Sequence, residues 1–196
     1  MTASAHAAHL AQLNVATLRF PLDDPRMAPF VGMLDTVNAA ADDAPGFVWR
    51  LVEDGAADAT ALRPAGEDVI VNLTVWETQD ALWGFTYRSE HLDVLRRRRE
   101  WFERHVAAHM VLWWVPAGHL PTTGEALARL ADLRTHGPSA RAFTFASPYS
   151  ADEAALAPSH AADAGTGPAV TAPAVTVTAP AVIAPAVTAT APVGRG

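Results

Sequence analysis

The residues with which this chain could do chemistry are a few histidines, a run of arginines and an unusual number of tryptophans. His91 follows Tyr87-Arg88-Ser89 and is expected to open a helix near the point where a strand-to-helix connection meets the sheet. A neutral imidazole there could act as a base or as an axial haem ligand, or simply bond a neighbouring backbone group. Arg96 to Arg99 are consecutive, and consecutive helical residues point about 100° apart, so the four cannot form one patch. Most of the run is expected to be a solvated, ion-paired face. Arg99 is the exception, because Leu92, Leu95, Arg99 and Phe102 fall on one expected helical stripe. An arginine on that stripe either snorkels or answers an anion. His91 and Arg99 are therefore the candidate catalytic residues.

His105 and His109 are four apart. They are expected to straddle a helix end and a strand start, which would separate the rings and leave no metal site. Asn14 and Asn72 lie on the same alternation face as other polar residues of their strands. Six tryptophans could stack on a flat ligand, although packing is their commoner use. The candidate pocket residues are Asn14, Trp49, Asn72, Trp76, Tyr87, Trp101 and Trp114.

Positioning these side chains requires a small α+β domain. His9–Leu18 alternates as a strand. Pro21-Leu-Asp-Asp-Pro25 breaks it, with Asp24 as a cap and Pro25 as the first residue of a helix carrying Phe30, Leu34 and Val37. Pro45-Gly46 ends that helix before a second strand, Phe47–Val52. Val69–Trp76 is a third strand, apolar on nearly both faces and so expected to be central. Thr78 caps a helix with Ala81, Leu82 and Phe85 inward, and a further helical stretch runs from about Glu90 to Arg104. Met110–Val115 is the fourth strand, and Thr123–Arg134 a last helix stopped by His136-Gly137-Pro138. The order strand–helix–strand–strand–helix–strand is the ferredoxin-like βαββαβ arrangement. Right-handed crossovers put both main helices on one sheet face. The opposite face, expected to carry Trp76 and Val48 or Trp49, is too apolar to be left wet, so a second subunit is expected to cover it.

Composition sets outer limits. With 196 residues and 50 % hydrophobic side chains, the chain can build a sizeable core. It has no cysteine, which removes disulfides, thiol catalysis and cysteine-ligated metals. It has no lysine, which removes Schiff-base chemistry and a phosphate-loop lysine. A net charge of −7 opposes general nucleic-acid binding. No apolar run is long enough to span a bilayer and no secretory signal is visible, so a cytoplasmic protein is expected. No dinucleotide fingerprint, nucleophile elbow or carboxylate cluster for metal stands out. Every aromatic residue lies at or before Tyr149. Beyond it Ala, Pro, Val and Thr dominate, so residues 1–150 are expected to fold and 151–196 to form a disordered tail.

The segment Trp76-Glu77-x-x-x-Ala81-Leu82-x-x-Phe85 followed by Ser89-x-His91 resembles antibiotic-biosynthesis-monooxygenase-like proteins, which are dimeric α/β barrels. More specifically the chain is similar to DUF3291, an uncharacterised bacterial family. That similarity is carried by His9-Leu-Ala-Gln-Leu-Asn14, Pro21-Leu-Asp-Asp-Pro25, Pro45-Gly-Phe-Val-Trp-Arg50, Asn72-Leu-Thr-Val-Trp-Glu77, Tyr87-Arg-Ser-x-His91, Arg97-Arg-Arg-Glu-Trp-Phe102 and Leu112-Trp-Trp-Val-Pro-Ala-Gly-His119. The resemblance implies a ferredoxin-like homodimer. It implies no single activity; a small-molecule ligand is expected, and two readings stay open. One is a monooxygenase-like enzyme on a small aromatic or polyketide-like substrate, either cofactor-free or with haem. The other is a non-catalytic binding or accessory protein of the same fold.

Overall fold

A computed structural model describes residues 8–88 and 97–157. Four strands form one antiparallel sheet: β1 (Ala8–Thr17), β2 (Phe47–Arg50), β3 (Val69–Trp76) and β4 (Met110–Pro116), in the order β2-β3-β1-β4. This is the ferredoxin-like order, with β3 internal as its two-sided apolar pattern requires. Helices α1 (Ala28–Val31) and α2 (Leu34–Asp42) connect β1 to β2, and α3 (Gln79–Arg88) follows β3. Helix α4 (Thr123–His136) and a short α5 (Ala151–Leu156) follow β4.

Local signals explain most of the ends. Thr78 Oγ1 accepts from the Ala81 amide and starts α3. Thr122 accepts from the Glu125 amide and starts α4, and Gly137 at φ 78° ends it, a conformation that favours glycine. Gly46 is needed for a different reason. A Cβ there would lie 2.7 Å from Ala81 Cβ, so only glycine lets the start of β2 sit against α3.

Strand alternation divides the sheet into two faces. Ala11, Leu13 and Val15 of β1 lie beside Val71, Leu73 and Val75 of β3 and Val111, Trp113 and Val115 of β4. They pack with Ala126, Leu130 and Leu133 of α4. The other face carries the even-numbered residues. At one end Ala16 and Ile70 pack with Met27, Phe30, Leu34 and Trp101. At the other end Leu10, Trp76 and Leu112 pack with Ala41, Leu82, Phe85 and Phe143. Phe143 also exchanges two backbone hydrogen bonds of 2.8 Å with Leu112, covering part of the β4 edge.

Five expectations are corrected. The helix expected from Pro25 is two short helices, because Asp24 to Ala28 forms tight turns and Pro29 stands at the first turn of α1. The helix expected through Arg104 does not continue that far: after the 3-10 turn Arg98–Glu100 the chain runs beside the end of β1. There the Arg19 amide bonds Trp101 carbonyl and the Glu103 amide bonds Thr17 carbonyl, both at 2.9 Å, so tertiary pairing overrides the helical pattern. Trp76 lies on the α3 side of the sheet, not on the opposite face. That opposite face is buried by the chain's own α4, so its apolarity does not call for a second subunit. Residues 151–156, expected in the tail, form α5, held by a capping box in which Ser150 and Glu153 bond each other's backbone; the rest of the expected tail from residue 158 lies outside the described residues. Among the described residues no helix is long and apolar enough to cross a membrane.

Candidate functional site

Between the two apolar clusters on the α2 and α3 face lie two polar rungs. Strand register sets Arg50, Thr74, Gln12 and Leu112 side by side across β2, β3, β1 and β4. The next rung sets Asn72 beside Asn14 and Met110. Gln12, Asn14, Arg50, Asn72 and Thr74 are each at most 3 % exposed, and so are Asn38 on α2 and Thr86 on α3. Seven buried polar side chains in one layer is costly unless each is satisfied.

Part of that cost is met internally. Trp76 Nε1 donates to Thr74 Oγ1 at 2.9 Å, and Thr74 Oγ1 donates to Gln12 Oε1 at 2.8 Å. An indole N–H can only donate, so the threonine hydroxyl passes its own proton on to the amide oxygen. This relay leaves the Gln12 amide nitrogen buried with no hydrogen-bond partner. Arg50 shows the same pattern. Its Nε and Nη2 donate to the two oxygens of Asp42 at 2.9 and 3.3 Å, while Nη1 is buried with no partner. Burial pulls the guanidinium below its ordinary pKa, opposed by the carboxylates of Asp42 and then Asp58.

The candidates from the sequence are partly brought together. Asn14, Asn72 and Trp76 share this face and the band or its edge. Trp49 does not: it pairs with Val75, and a bulge after Phe47 turns it and Val48 toward the α4 side. Trp101 packs in the cluster at the Ala16 end, tilted on Phe30 with ring centres 5.7 Å apart. Trp114 borders the other cluster and donates to Tyr149 carbonyl at 2.7 Å. Tyr87 lies against Trp83 with ring centres 4.2 Å apart and planes tilted by 45°; burial pushes its phenol up to about 12, and Arg98 opposes that shift. The expectation that Arg99 lies on an inward stripe is corrected: Arg99 is exposed on the 3-10 turn, where its carbonyl accepts from Arg19. His91, with Leu92 and Leu95, lies outside the described residues.

His105 and His109 are also corrected. Their rings are not separated but stacked, 5.3 Å apart with planes 17° off parallel. Stacked rings do not converge on an ion, and among the described residues no group of three metal-ligating side chains occurs. A haem fits the described residues poorly. His9 lies in the register facing α4, His105 and His109 precede β4, and His119 and His136 pair with Glu125 and Asp132 at the surface. None of them stands over the polar band.

Gln12, Thr74, Arg50 and Asp42 were missed as site residues. The signal for the first two was present: polar residues two apart on strands that otherwise read as buried. Arg50 and Asp42 carry no such signal, because their pairing depends on how α2 delivers the chain to β2.

The fold and this band define a class, a ferredoxin-like α+β domain with a buried polar layer between its sheet and helices α2 and α3. Within that class the chain belongs to the family Domain of unknown function (DUF3291), whose model matches residues 9–159. No curated protein matches it. Among solved structures it is similar to a protein of unknown function from Nitrosomonas europaea, at 11 % identity and TM-score 0.38, covering 60 % of this chain and 99 % of that one. It is also similar to a "putative Antibiotic biosynthesis monooxygenase" from Chloroflexus aurantiacus, at 12 % identity and TM-score 0.37, covering 58 % and 97 %. A third is a conserved protein of unknown function, possible oxidoreductase, from Bacteroides thetaiotaomicron, at 12 % identity and TM-score 0.36, covering 57 % and 99 %.

Proposed function

We propose that the polar band binds a small aromatic or polyketide-like molecule between the sheet and helices α2 and α3. The observation that supports this is the pair of polar rungs, Gln12/Thr74/Arg50 and Asn14/Asn72, set between two clusters of apolar and aromatic side chains. Such a mix of apolar walls and few directed polar groups is how small-molecule sites are built. Binding is better supported than turnover. A cofactor-free oxygenation needs a base to ionise the substrate. The carboxylate at this band, Asp42, already has both oxygens on Arg50. Monooxygenase-like activity would therefore fall to His91 as base.

The test is a panel of phenols and aromatic ketones read by thermal shift and by oxygen uptake. A compound that stabilises the wild-type chain, but not Asn72→Leu, supports the site, provided Leu73→Met on the other face keeps the response. Oxygen consumption lost in His91→Ala, with binding retained, would establish the enzyme; binding without consumption leaves the binding protein. Equal responses in Asn72→Leu and wild type would overturn the site. The homodimer that the resemblance implies would use a surface other than the filled α4 face. The outer edge of β2, unpaired among the described residues, is the strand edge that suits it, and sedimentation velocity decides between one and two chains.

A further inference from the structure

We infer that the ligand of this band presents an uncharged carbonyl-type oxygen, and that Gln12 and Arg50 are the residues that select it. The inference rests on the band being a ligand site, as proposed above, and adds the chemistry of what fills it.

Both buried groups left over on the central rung are donors: the Gln12 amide nitrogen and Arg50 Nη1. Neither can be satisfied by a hydroxyl acting as donor, so the complement is an acceptor oxygen. Gln12 cannot turn its amide oxygen to a donor ligand without breaking the bond from Thr74, and with it the relay from Trp76. The orientation of the amide is thereby built into the strands.

Charge narrows the class further. A lone buried arginine would favour a carboxylate or phosphate ligand. Here Asp42 holds the guanidinium with two hydrogen bonds, and Arg50 is only 3 % exposed. A second carboxylate is close enough for Asp58 also to act on it. The cation is already balanced, so an anionic ligand would add an uncompensated charge to a buried site. A ketone or quinone oxygen can accept from such donors without doing so. The absence of lysine and cysteine suits such a ligand, since neither amine nor thiol side chain is present to add to its carbonyl.

Three probes of similar size separate the possibilities: acetophenone, benzoate and phenol, titrated into the full chain and followed by nuclear magnetic resonance. The reporters are the Gln12 side-chain amide, the Arg50 guanidinium and the Trp76 indole N–H. Acetophenone should shift all three and bind about tenfold or more tightly than benzoate, the scale of one hydrogen bond kept and one charge avoided. Asp42→Asn keeps an acceptor for Arg50 Nε but removes the balancing charge, so it should narrow or reverse that preference by about tenfold. Gln12→Met should weaken acetophenone about tenfold; if that variant does not fold, the wild-type Gln12 amide shift decides the same point. Benzoate or phenol binding at these reporters as tightly as acetophenone would overturn the inferred class and leave the site standing. An unchanged preference in Asp42→Asn would overturn the role given to charge balance. No shift at the three reporters with any probe would overturn the site itself, the two donors then being met by water alone.

Discussion

On the α4 side of the sheet, Ala11, Leu13, Leu73, Val75 and Val111 are buried against Ala126, Leu130 and Leu133. On the α2 and α3 side, the same strands bury Gln12, Asn14, Asn72, Thr74 and Arg50. Each buried leucine or valine on the first face contributes about 1.5–3 kcal/mol simply by leaving water. Each polar side chain on the second returns little net stability even when fully bonded, and costs when it is not. The difference separates a face filled by aliphatic packing from one whose buried groups depend on their hydrogen bonds.

The largest expected effects break the packing face. Leu73→Ala and Leu130→Ala each remove a side chain only 1 % exposed and should cost about 2–5 kcal/mol, seen as a fall of roughly 5–15 °C in melting temperature. The fraction still folded should bind any ligand of the polar band as the wild type does. Loss of binding in step with loss of stability would mean that the faces are not separable.

A matched pair of swaps on adjacent residues sharpens the same contrast. Thr74→Val keeps the shape but strands the Trp76 indole N–H and the Gln12 amide oxygen, at about 1–3 kcal/mol. Val75→Thr, one residue on and 0 % exposed, places a hydroxyl in the aliphatic face, at a similar cost of about 1–3 kcal/mol. Opposite changes in polarity should therefore both destabilise. If Thr74→Val proves neutral in urea unfolding, the relay has no structural weight.

The strands were legible because alternation reports burial directly, and the order of elements then led to the ferredoxin-like sheet. The polar face was legible as far as Asn14 and Asn72, which share the alternation of their strands. What escaped was set by tertiary contacts. Val48 or Trp49 is expected on the far face; the bulge after Phe47 puts both there, so Trp49 does not also line the polar face. Pairing beside β1 ends the helix expected through Arg104, so Arg99 faces solvent instead of the core. Helix α4 has the amphipathic pattern of any surface helix; that it fills the face expected to receive a second subunit follows only from where β4 delivers it.

A smaller effect belongs to the closure of the polar face at its β4 edge. Trp114 Nε1 bonds Tyr149 carbonyl, and Ser150 then caps α5. Ser150→Ala should cost α5 about 1 kcal/mol. Hydrogen exchange should quicken at the Ala154 amide, which bonds Ser150 carbonyl, while the Leu73 amide is unchanged. Quickening at both would make α5 part of the sheet's cooperative unit.

The smallest expected effect lies where the two faces end. The Thr17 amide donates to His105 Nε2 at 3.3 Å, which requires that nitrogen to be unprotonated. Burial, and then Arg134 of α4, hold His105 below its ordinary pKa. His109 is held down by burial, then by His105, with smaller contributions from Arg98 and Arg134, against an opposing backbone bond at Ala107. In the folded chain both rings therefore resist protonation more than in the unfolded chain. The unfolded state binds more protons as pH falls below about 6.5, so this part of the stability is complete above that pH and is lost as pH drops toward the folded values. The urea midpoint should be lower at about pH 5.5 than at about pH 7.5. The comparison with His105→Gln tests the share of His105: glutamine keeps an acceptor for Thr17 but carries no proton equilibrium. Its midpoint should change less between the two pH values than that of the wild type. A variant whose pH dependence is steeper than wild type would mean that the charged pair is favoured in the fold, and that the seam between the faces is held by something other than neutral imidazoles.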